Sequence, residues 1–509
     1  MARPNILFIV ADQHNAKLLG HAGHPQAYTP HLDRMAKEGV RCLNAITPNP
    51  VCTPTRVSFT SGQYCHNHGY YGLGGPNPGG LPTIFGHFRA HGYATSAVGK
   101  IHCPEYWVED DVDNFHETCD TSIGGRSAKY AAFLRERGKL HLEDHGSLPE
   151  HGDAGHQSME GRPSPLTFEE SQEGWIADET IRFIEENRSA GKPFFAFASL
   201  PRPHQCTSPS PEFWERFADI DPVLPPNADY DMAAAGKAPN LIKTSEGWRT
   251  GDRAIYHPRT YAAFRERKQR GYLAAIAQID AAVGRMVDHL RDQGLLKNTV
   301  VVYTSDHGDF ACEHGVLEKA PGISSDAITR VPMLWLGPDL PTGETREGII
   351  NLVDLPATFC GFAGLPPLET FDGKDASAWL RGKGETVNEI GVTEFAWSRS
   401  IRKGKYRLIY YPKHQFDETH PDGFGELYDI EADPYEMQNL YFKKKYKDLI
   451  REMERDLMDW LVTTTRPKTT IVADKTVTPQ SRHRLGATVN ADDKVHPDRL
   501  EADRRGNYL

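Results

Sequence analysis

The sequence has no paired cysteine motif, no long apolar run and no surplus of positive charge. Each absence closes a class of protein. No apolar stretch approaches the ~20 residues that a membrane-spanning helix needs, so no membrane segment is expected. Residues 6–11 are apolar, but a secretory signal has an apolar region of roughly 7–15 residues followed by a small-residue cleavage site, and none follows here. The stretch reads better as a buried first strand ending at Asp12. Eight cysteines (Cys42, Cys52, Cys65, Cys103, Cys119, Cys206, Cys312 and Cys360) are scattered, with no Cys-x-x-Cys pair. Without an export signal, reduced thiols in a cytoplasmic protein are expected, each a small buried hydrophobe unless its context says otherwise. Lys and Arg number 58 against 69 Asp and Glu, a net charge of -11, which is not the basic footprint of a nucleic-acid binder. A chain of this balance that handles an anion must gather its positive charge in one pocket. No internal repeat is visible.

What is present is an ordinary globular composition, 39% hydrophobic, 25% charged and 10% aromatic, over 509 residues. That length suits two or three domains, or one large domain with an appendage. Apolar strands alternate with helical patterns through the first two-thirds, which predicts an α/β fold: a large mixed, mostly parallel sheet flanked by helices. Strands are expected at 6–10, 93–98, 194–200 and 299–304, and helices at 29–38, 83–91, 168–187 and 271–293. Thr29-Pro30 supplies an N-cap and a first-turn proline, and Gly39 a stop. Asp12, Lys100, His204 and Asp306 each fall just past a predicted strand. Ligands of open α/β sheets bind beyond those carboxyl ends, so four residues distant in sequence should meet there.

Residues 103–165 are polar and carry His141, His145, His151 and His156 at spacings that fit no metal-ligand pattern, so they read as a solvated insertion. Residues 207–256 are a second excursion, of the kind that shapes substrate pockets. From about residue 370 the pattern changes to short antiparallel strands at 390–393, 400–402, 406–411 and 426–429, then a helix at 446–462. The expected organisation is a catalytic unit over 1–370, a small α+β domain over 371–465 and a polar tail over 466–509. Such a tail would be ordered only by packing on its own or a neighbouring subunit, which suits a homo-oligomer, a dimer or tetramer.

The stretch Cys52-Thr53-Pro54-Thr55-Arg56 places Cys52 at a helix N-terminus, where free N–H groups and the helix dipole favour an anion. Arg56, one turn on, can reach back toward it. A cysteine so placed has a lowered pKa and could be a nucleophile itself.

Cys-x-Pro-x-Arg resembles the signature of the type I sulfatases of the alkaline phosphatase superfamily. The resemblance extends in order through Asn5-Ile6-Leu7-Phe8-Ile9-Val10-Ala11-Asp12-Gln13, Gly99-Lys100-Ile101-His102, Pro203-His204, Thr304-Ser305-Asp306-His307-Gly308-Asp309, Lys319 and Glu426-Leu427-Tyr428-Asp429. It implies that a formylglycine-generating enzyme oxidises Cys52 to formylglycine, whose hydrated form attacks the sulfur of a small-molecule sulfate ester. It implies one divalent cation, Ca²⁺ first with Mn²⁺ or Mg²⁺ as alternatives, held by Asp12, Gln13, Cys52, Asp306 and His307. Arg56 and Lys100 would hold the nucleophile and the anion, His102 would be the base that releases sulfate, and His204 and Lys319 would bind oxygens and assist the leaving group.

One position departs from the pattern. Many sulfatases have a second Asp after the first, where this chain has Gln13. That resembles the phosphonate and phosphodiester hydrolases and the choline-sulfate enzymes of the superfamily. Lys100 and His102 favour the sulfate ester, with phosphonate or phosphodiester hydrolysis as the alternative and a non-catalytic anion-binding relative as the remote one.

Overall fold

The computed structural model describes residues 3–73, 75–118, 128–142, 161–205, 207–250, 261–320, 322–395 and 397–466. The large sheet is built from β1 (Asn5–Asp12), β2 (Val40–Ile46), β3 (Ala94–Gly99), β4 (Asn114–Glu117), β5 (Phe194–Pro203), β6 (Thr299–Ser305), β7 (Arg330–Val331), β8 (Met333–Leu336) and β9 (Glu344–Asn351). Its order is β4-β3-β5-β1-β6-β8-β2-β7, with β9 alongside β2. The run from β4 to β6 is parallel, and β8 then joins β6 antiparallel.

β1 lies inside this sheet and is buried on both faces, which is why its sequence is continuously apolar rather than alternating. Ile6, Phe8 and Val10 point into one core with Phe59, Phe197 and Phe359. Leu7, Ile9 and Ala11 point into the opposite core with Ile176, Ile279, Val283 and Met286. The Phe8 ring stacks on Phe197 at 5.0 Å and meets Phe59 edge-on at 5.4 Å. Phe59 belongs to the helix Cys52–Ser61, so these contacts also fix the helix that carries Cys52. Truncating a ring so buried costs about 3–5 kcal/mol.

The expected helices and strands of this unit are present with three differences. The helix expected at 168–187 opens as a 3-10 turn, Phe168–Glu170, and restarts as Gln172–Ser189 after the Ser171 cap. The helix expected from residue 271 begins at Tyr261 and runs to Asp292. Its first turns are highly charged and lack apolar spacing, yet tertiary packing buries Phe264, Lys268 and Gln269. The third difference concerns Thr29, which precedes the helix Pro30–Glu38 but makes no side-chain cap. Asp280, from the long helix, instead accepts from the backbone N–H groups of His31 and Leu32 at 3.2 and 2.8 Å. The excursion at 207–256 is partly helical, with Pro211–Phe217 and Pro239–Thr250.

The small sheet is antiparallel in the order β10 (Ile390–Glu394), β11 (Arg399–Lys403), β12 (Tyr406–Tyr410) and β13 (Gly425–Asp429). The helix Lys447–Thr464 lays Ile450, Met453, Leu457 and Trp460 on Val392, Ile401, Leu408 and Leu427. Trp460 also meets Tyr64 edge-on at 4.9 Å, tying this layer to the segment just after the Cys52 helix. His145, His151, His156, Cys119, Cys206 and the tail beyond residue 466 lie outside the described residues. Among the described residues no cysteine is in a disulfide, and no helix is long and apolar enough to cross a membrane.

Candidate active site

β3, β5, β1 and β6 are adjacent and parallel, so their carboxyl ends lie along one edge of the sheet. Asp12 ends β1, Lys100 follows β3, His204 follows β5 and Asp306 follows β6. Gly99 has a φ of +106°, which only glycine adopts readily, and a methyl there would collide with the Ser199 carbonyl. This turn swings Lys100 toward Asp12, where its Nζ lies 2.5 Å from Oδ2.

Cys52 is the first residue of a ten-residue helix buried along its whole length. Its Sγ lies 3.2 Å from His307 Nε2, 3.7 Å from Asp12 Oδ1 and 3.9 Å from Lys100 Nζ. Burial alone would raise the thiol pKa. Lys100, Lys319, His307 and His102 outweigh it and hold the group well below its ordinary value.

Arg56 is fully buried, and it organises the two carboxylates. Nη2 donates to Asp12 Oδ2 at 3.1 Å and Nε to Asp306 Oδ2 at 2.9 Å. Nη1 donates to the Lys100 carbonyl at 2.5 Å and to Ser199 Oγ at 2.9 Å. Both ion pairs use the Oδ2 atoms, so the Oδ1 atoms are left facing Cys52 and His307. Burial and the neighbouring Cys52 push the Asp12 carboxyl up, but Lys100, His204 and Arg56 prevail and keep it ionised.

His307 Nδ1 lies 2.9 Å from the Gly308 carbonyl, an acceptor that fixes the proton on Nδ1 and leaves Nε2 as a donor atom for a ligand. Burial opposes protonation of this ring, while Asp306 and Cys52 raise its pKa. A cation held at Nε2 would take the place of that second proton. One ligand atom each from Asp12, Cys52, Asp306 and His307 falls within 4.8 Å of the others, and all four residues are buried.

On the other side, Lys319 Nζ donates to Gln13 Oε1 at 2.8 Å and to His204 Nε2 at 3.0 Å. Burial, with Lys100 and Lys319 close by, lowers the His204 pKa and keeps the ring neutral. Gln13 stands at φ 69°, and its backbone N–H reaches Asp306 Oδ1 at 3.0 Å. His102 follows Lys100, anchored through its N–H to Glu117 at 3.0 Å and its carbonyl to Thr53 at 3.1 Å. The structure therefore gathers Asp12, Gln13, Cys52, Arg56, Lys100, His102, His204, Asp306, His307 and Lys319 in one neighbourhood. Of the polar insertion, His141 lies in the 3-10 turn Leu140–Leu142, in no group that could hold a metal among the described residues.

A second network adjoins these residues that sequence patterns do not announce. Gln13 Nε2 donates to Asp309 Oδ2 at 2.7 Å and to Glu318 Oε2 at 2.5 Å, while Glu318 is paired with the buried Lys268. Burial and Glu318 push the Asp309 carboxyl up to about 6. Lys268 gives no signal, since it stands in the charged run 265–270 that reads as a solvated helix face. Only the two acids within or beside recognised motifs, Asp309 and Glu318, could be suspected from sequence.

A sulfatase family profile matches residues 4–365, and a profile of the N-sulphoglucosamine sulphohydrolase C-terminal region matches 312–462. The chain is 26% identical to an arylsulfatase of Clostridium perfringens over 475 residues, 90% of this chain and 94% of that one. It is 26% identical to a choline-sulfatase of Rhizobium meliloti, over 86% of this chain and 82% of that one. A solved phosphonate monoester hydrolase from Silicibacter pomeroyi superposes with a TM-score of 0.73 at 18% identity, covering 92% of this chain and 97% of that one. With about 70% of its length matched in one colinear block, the chain belongs to the sulfatase family of the alkaline phosphatase superfamily, the sulfuric ester hydrolases.

Proposed function

We propose that the chain hydrolyses small-molecule sulfate esters through an oxygen nucleophile derived from Cys52, assisted by one hard divalent cation. The observation that carries the reading is the convergence of Asp12, Asp306 and His307 on the Cys52 side chain, with Lys100 and Arg56 behind it. The donor set fits a cation. Two carboxylate oxygens are turned inward by Arg56 and one imidazole nitrogen is freed by its own Nδ1 contact, while the amide oxygen of Gln13, expected as a further ligand, is held by Lys319. Ca²⁺ is the first expectation once residue 52 carries oxygen in place of sulfur, with Mg²⁺ and Mn²⁺ as alternatives. A cation bound there polarises oxygen and eases ionisation of a hydroxyl. The hydrated aldehyde produced from Cys52 by a formylglycine-generating enzyme supplies one hydroxyl to attack and a second whose deprotonation releases the sulfate.

The remaining work falls to side chains of the chain itself. Lys100, bonded to Asp12 at 2.5 Å, faces residue 52 with an ammonium that stabilises negative charge on the nucleophile. Arg56 and Lys100 together balance the two aspartates, so a singly charged sulfate ester is not repelled. His102, held beside Cys52 by Glu117 and Thr53, takes the proton that frees the product. Lys319 and the His204 ring 3.0 Å away hold non-bridging oxygens, and the Lys319 ammonium donates toward the leaving oxygen.

The test is a kcat/KM comparison for an aryl sulfate and an aryl phosphonate on chain whose conversion has been verified by peptide mass, about 18 Da below the thiol form. A sulfate preference supports the reading. A phosphonate preference of roughly a hundredfold, about 2.7 kcal/mol of transition-state binding, overturns it in favour of the phosphonate enzymes, for which Gln13 is the favouring feature.

A further inference from the structure

The encoded residue at position 52 is a cysteine, and its sulfur occupies a corner of a four-atom cage. Around the cage, the Cys52 Sγ to His307 Nε2 edge is 3.2 Å and Cys52 Sγ to Asp12 Oδ1 is 3.7 Å. The His307 Nε2 to Asp12 Oδ1 edge is 4.0 Å and His307 Nε2 to Asp306 Oδ1 is 3.9 Å. A tetrahedral zinc ion has bonds of about 2.3 Å to sulfur and about 2.0–2.1 Å to imidazole nitrogen and carboxylate oxygen. Those lengths require edges of about 3.6 Å between S and N, about 3.5 Å between S and O and about 3.3 Å between N and O. The sulfur edges to His307 and Asp12 are within a few tenths of an ångström of these lengths, the two nitrogen–oxygen edges would contract by about 0.6–0.7 Å, and all four atoms lie within 4.8 Å of one another.

We infer that the chain with Cys52 still a thiol is a zinc-binding protein, and that conversion of Cys52 exchanges a borderline-soft metal site for a hard one. The inference rests on the reading of this cluster as a metal site. Its basis is ligand chemistry. Thiolate with imidazole selects zinc, whereas Ca²⁺ takes six to eight oxygens and gains little from sulfur. Four protein ligands of the type Cys-His-Asp-Asp also close a tetrahedron, as structural zinc sites do. The surroundings match the charge. Zinc with one thiolate and two carboxylates is a single negative unit, and Arg56 and Lys100 lie against its outer oxygens. His307 already has the outer-shell carbonyl contact that metal-bound imidazoles use. Binding replaces the thiol proton, which is released to solvent, by a Zn–S bond, and no oxidant is involved.

The experiment uses the full chain made without a formylglycine-generating enzyme, its thiol confirmed by peptide mass, beside converted chain and the Cys52→Ser variant. Each is equilibrated with Zn²⁺ against a hundredfold excess of Ca²⁺. Metal content is measured, and zinc X-ray absorption reads the ligands. The thiol form should retain one zinc per chain with one sulfur at about 2.3 Å. Cys52→Ser should bind zinc at least a hundredfold more weakly with no sulfur ligand, while its metal-free form melts no lower than the metal-free parent. Calcium should displace zinc from the converted chain far more readily than from the thiol form. Zinc held without sulfur, or equal zinc affinity in the thiol and serine forms, overturns the inference. So does a thiol form that takes no zinc while converted chain binds calcium, which leaves the proposed function standing. If no form binds either ion at the four residues, the metal-site reading itself falls with it.

Discussion

Arg56→Met probes the whole arrangement, because this one guanidinium is paired with two buried carboxylates and orients both. The side chain is fully buried, and so are Asp12 and Asp306. Methionine fills similar space without charge. Asp12 then keeps Lys100 at 2.5 Å and the Cys52 thiol at 3.7 Å, and Asp306 keeps the backbone N–H groups of Gln13 and His307 at 3.0 and 2.8 Å. Removing one partner of a buried ion pair costs about 3–5 kcal/mol. The surviving contacts argue against doubling that figure for the second pair. Unfolding entropy of about 2.1 cal/mol/K per residue gives roughly 1 kcal/mol/K for a chain of this size, so the metal-free variant should melt about 3–5 °C lower. Activity should vanish as well, since the Oδ1 atoms lose their orientation. The assay is thermal unfolding followed by circular dichroism, in chelator and in saturating divalent cation. Cation should narrow the gap, because it supplies charge that the arginine had supplied. Arg56→Lys should recover only part of the loss, since one ammonium cannot hold two carboxylates in a fixed fork. A variant melting within about 1 °C of the parent in chelator would refute the assignment of Arg56 as the organiser of the cluster.

Cys52→Ala should abolish aryl sulfate turnover while leaving the melting temperature within about 2 °C, because the removed sulfur is a small group in a polar cage; residual turnover above a hundredth of the parent's contradicts the nucleophile assignment. Glu318→Ala takes the ion-pair partner from the buried Lys268, leaving it the Asp309 carboxyl nearby, and should cost up to about 3–5 kcal/mol, read as a melting loss in the metal-free chain; an unchanged melt argues that the network around Gln13 carries no structural load. Acid should destabilise the fold through His14 and His68, whose pKa burial lowers from 6.5 to about 3. Between those values the unfolded chain binds the proton and the folded chain does not, so stability is complete above about pH 6.5 and falls by about 1.4 kcal/mol per pH unit for each group below it. His68→Gln should flatten the slope of melting temperature against pH between about 4 and 6; an identical slope would show that His68 is not a neutral buried group.

The strands at the centre are legible in the sequence because β1, β5 and β6 are buried on both faces and write near-continuous apolar runs into the chain, while β3, with Thr95 and Ser96 inside it, is buried but less apolar. Once the runs are parallel neighbours, their ends align, so apolar pattern alone sets Asp12, Lys100, His204 and Asp306 at one edge. Ordered motifs do the same for Cys52, Arg56, His307 and Lys319. Other features have no local signature. Lys268 lies in a run of charge that looks solvated, and becomes interior only because the long helix packs its first turns under Glu318. Asp280 caps a helix some 250 residues away in place of Thr29, a substitution visible only when the two helices meet. The choice of which oxygens Arg56 engages belongs to tertiary structure alone, since sequence names the charges but not their directions. Local sequence thus determined which elements form and which residues stand at their ends, because backbone periodicity and burial are local properties. The fold decided how those ends are aimed, because orientation at a site comes from contacts between segments that the chain itself keeps far apart.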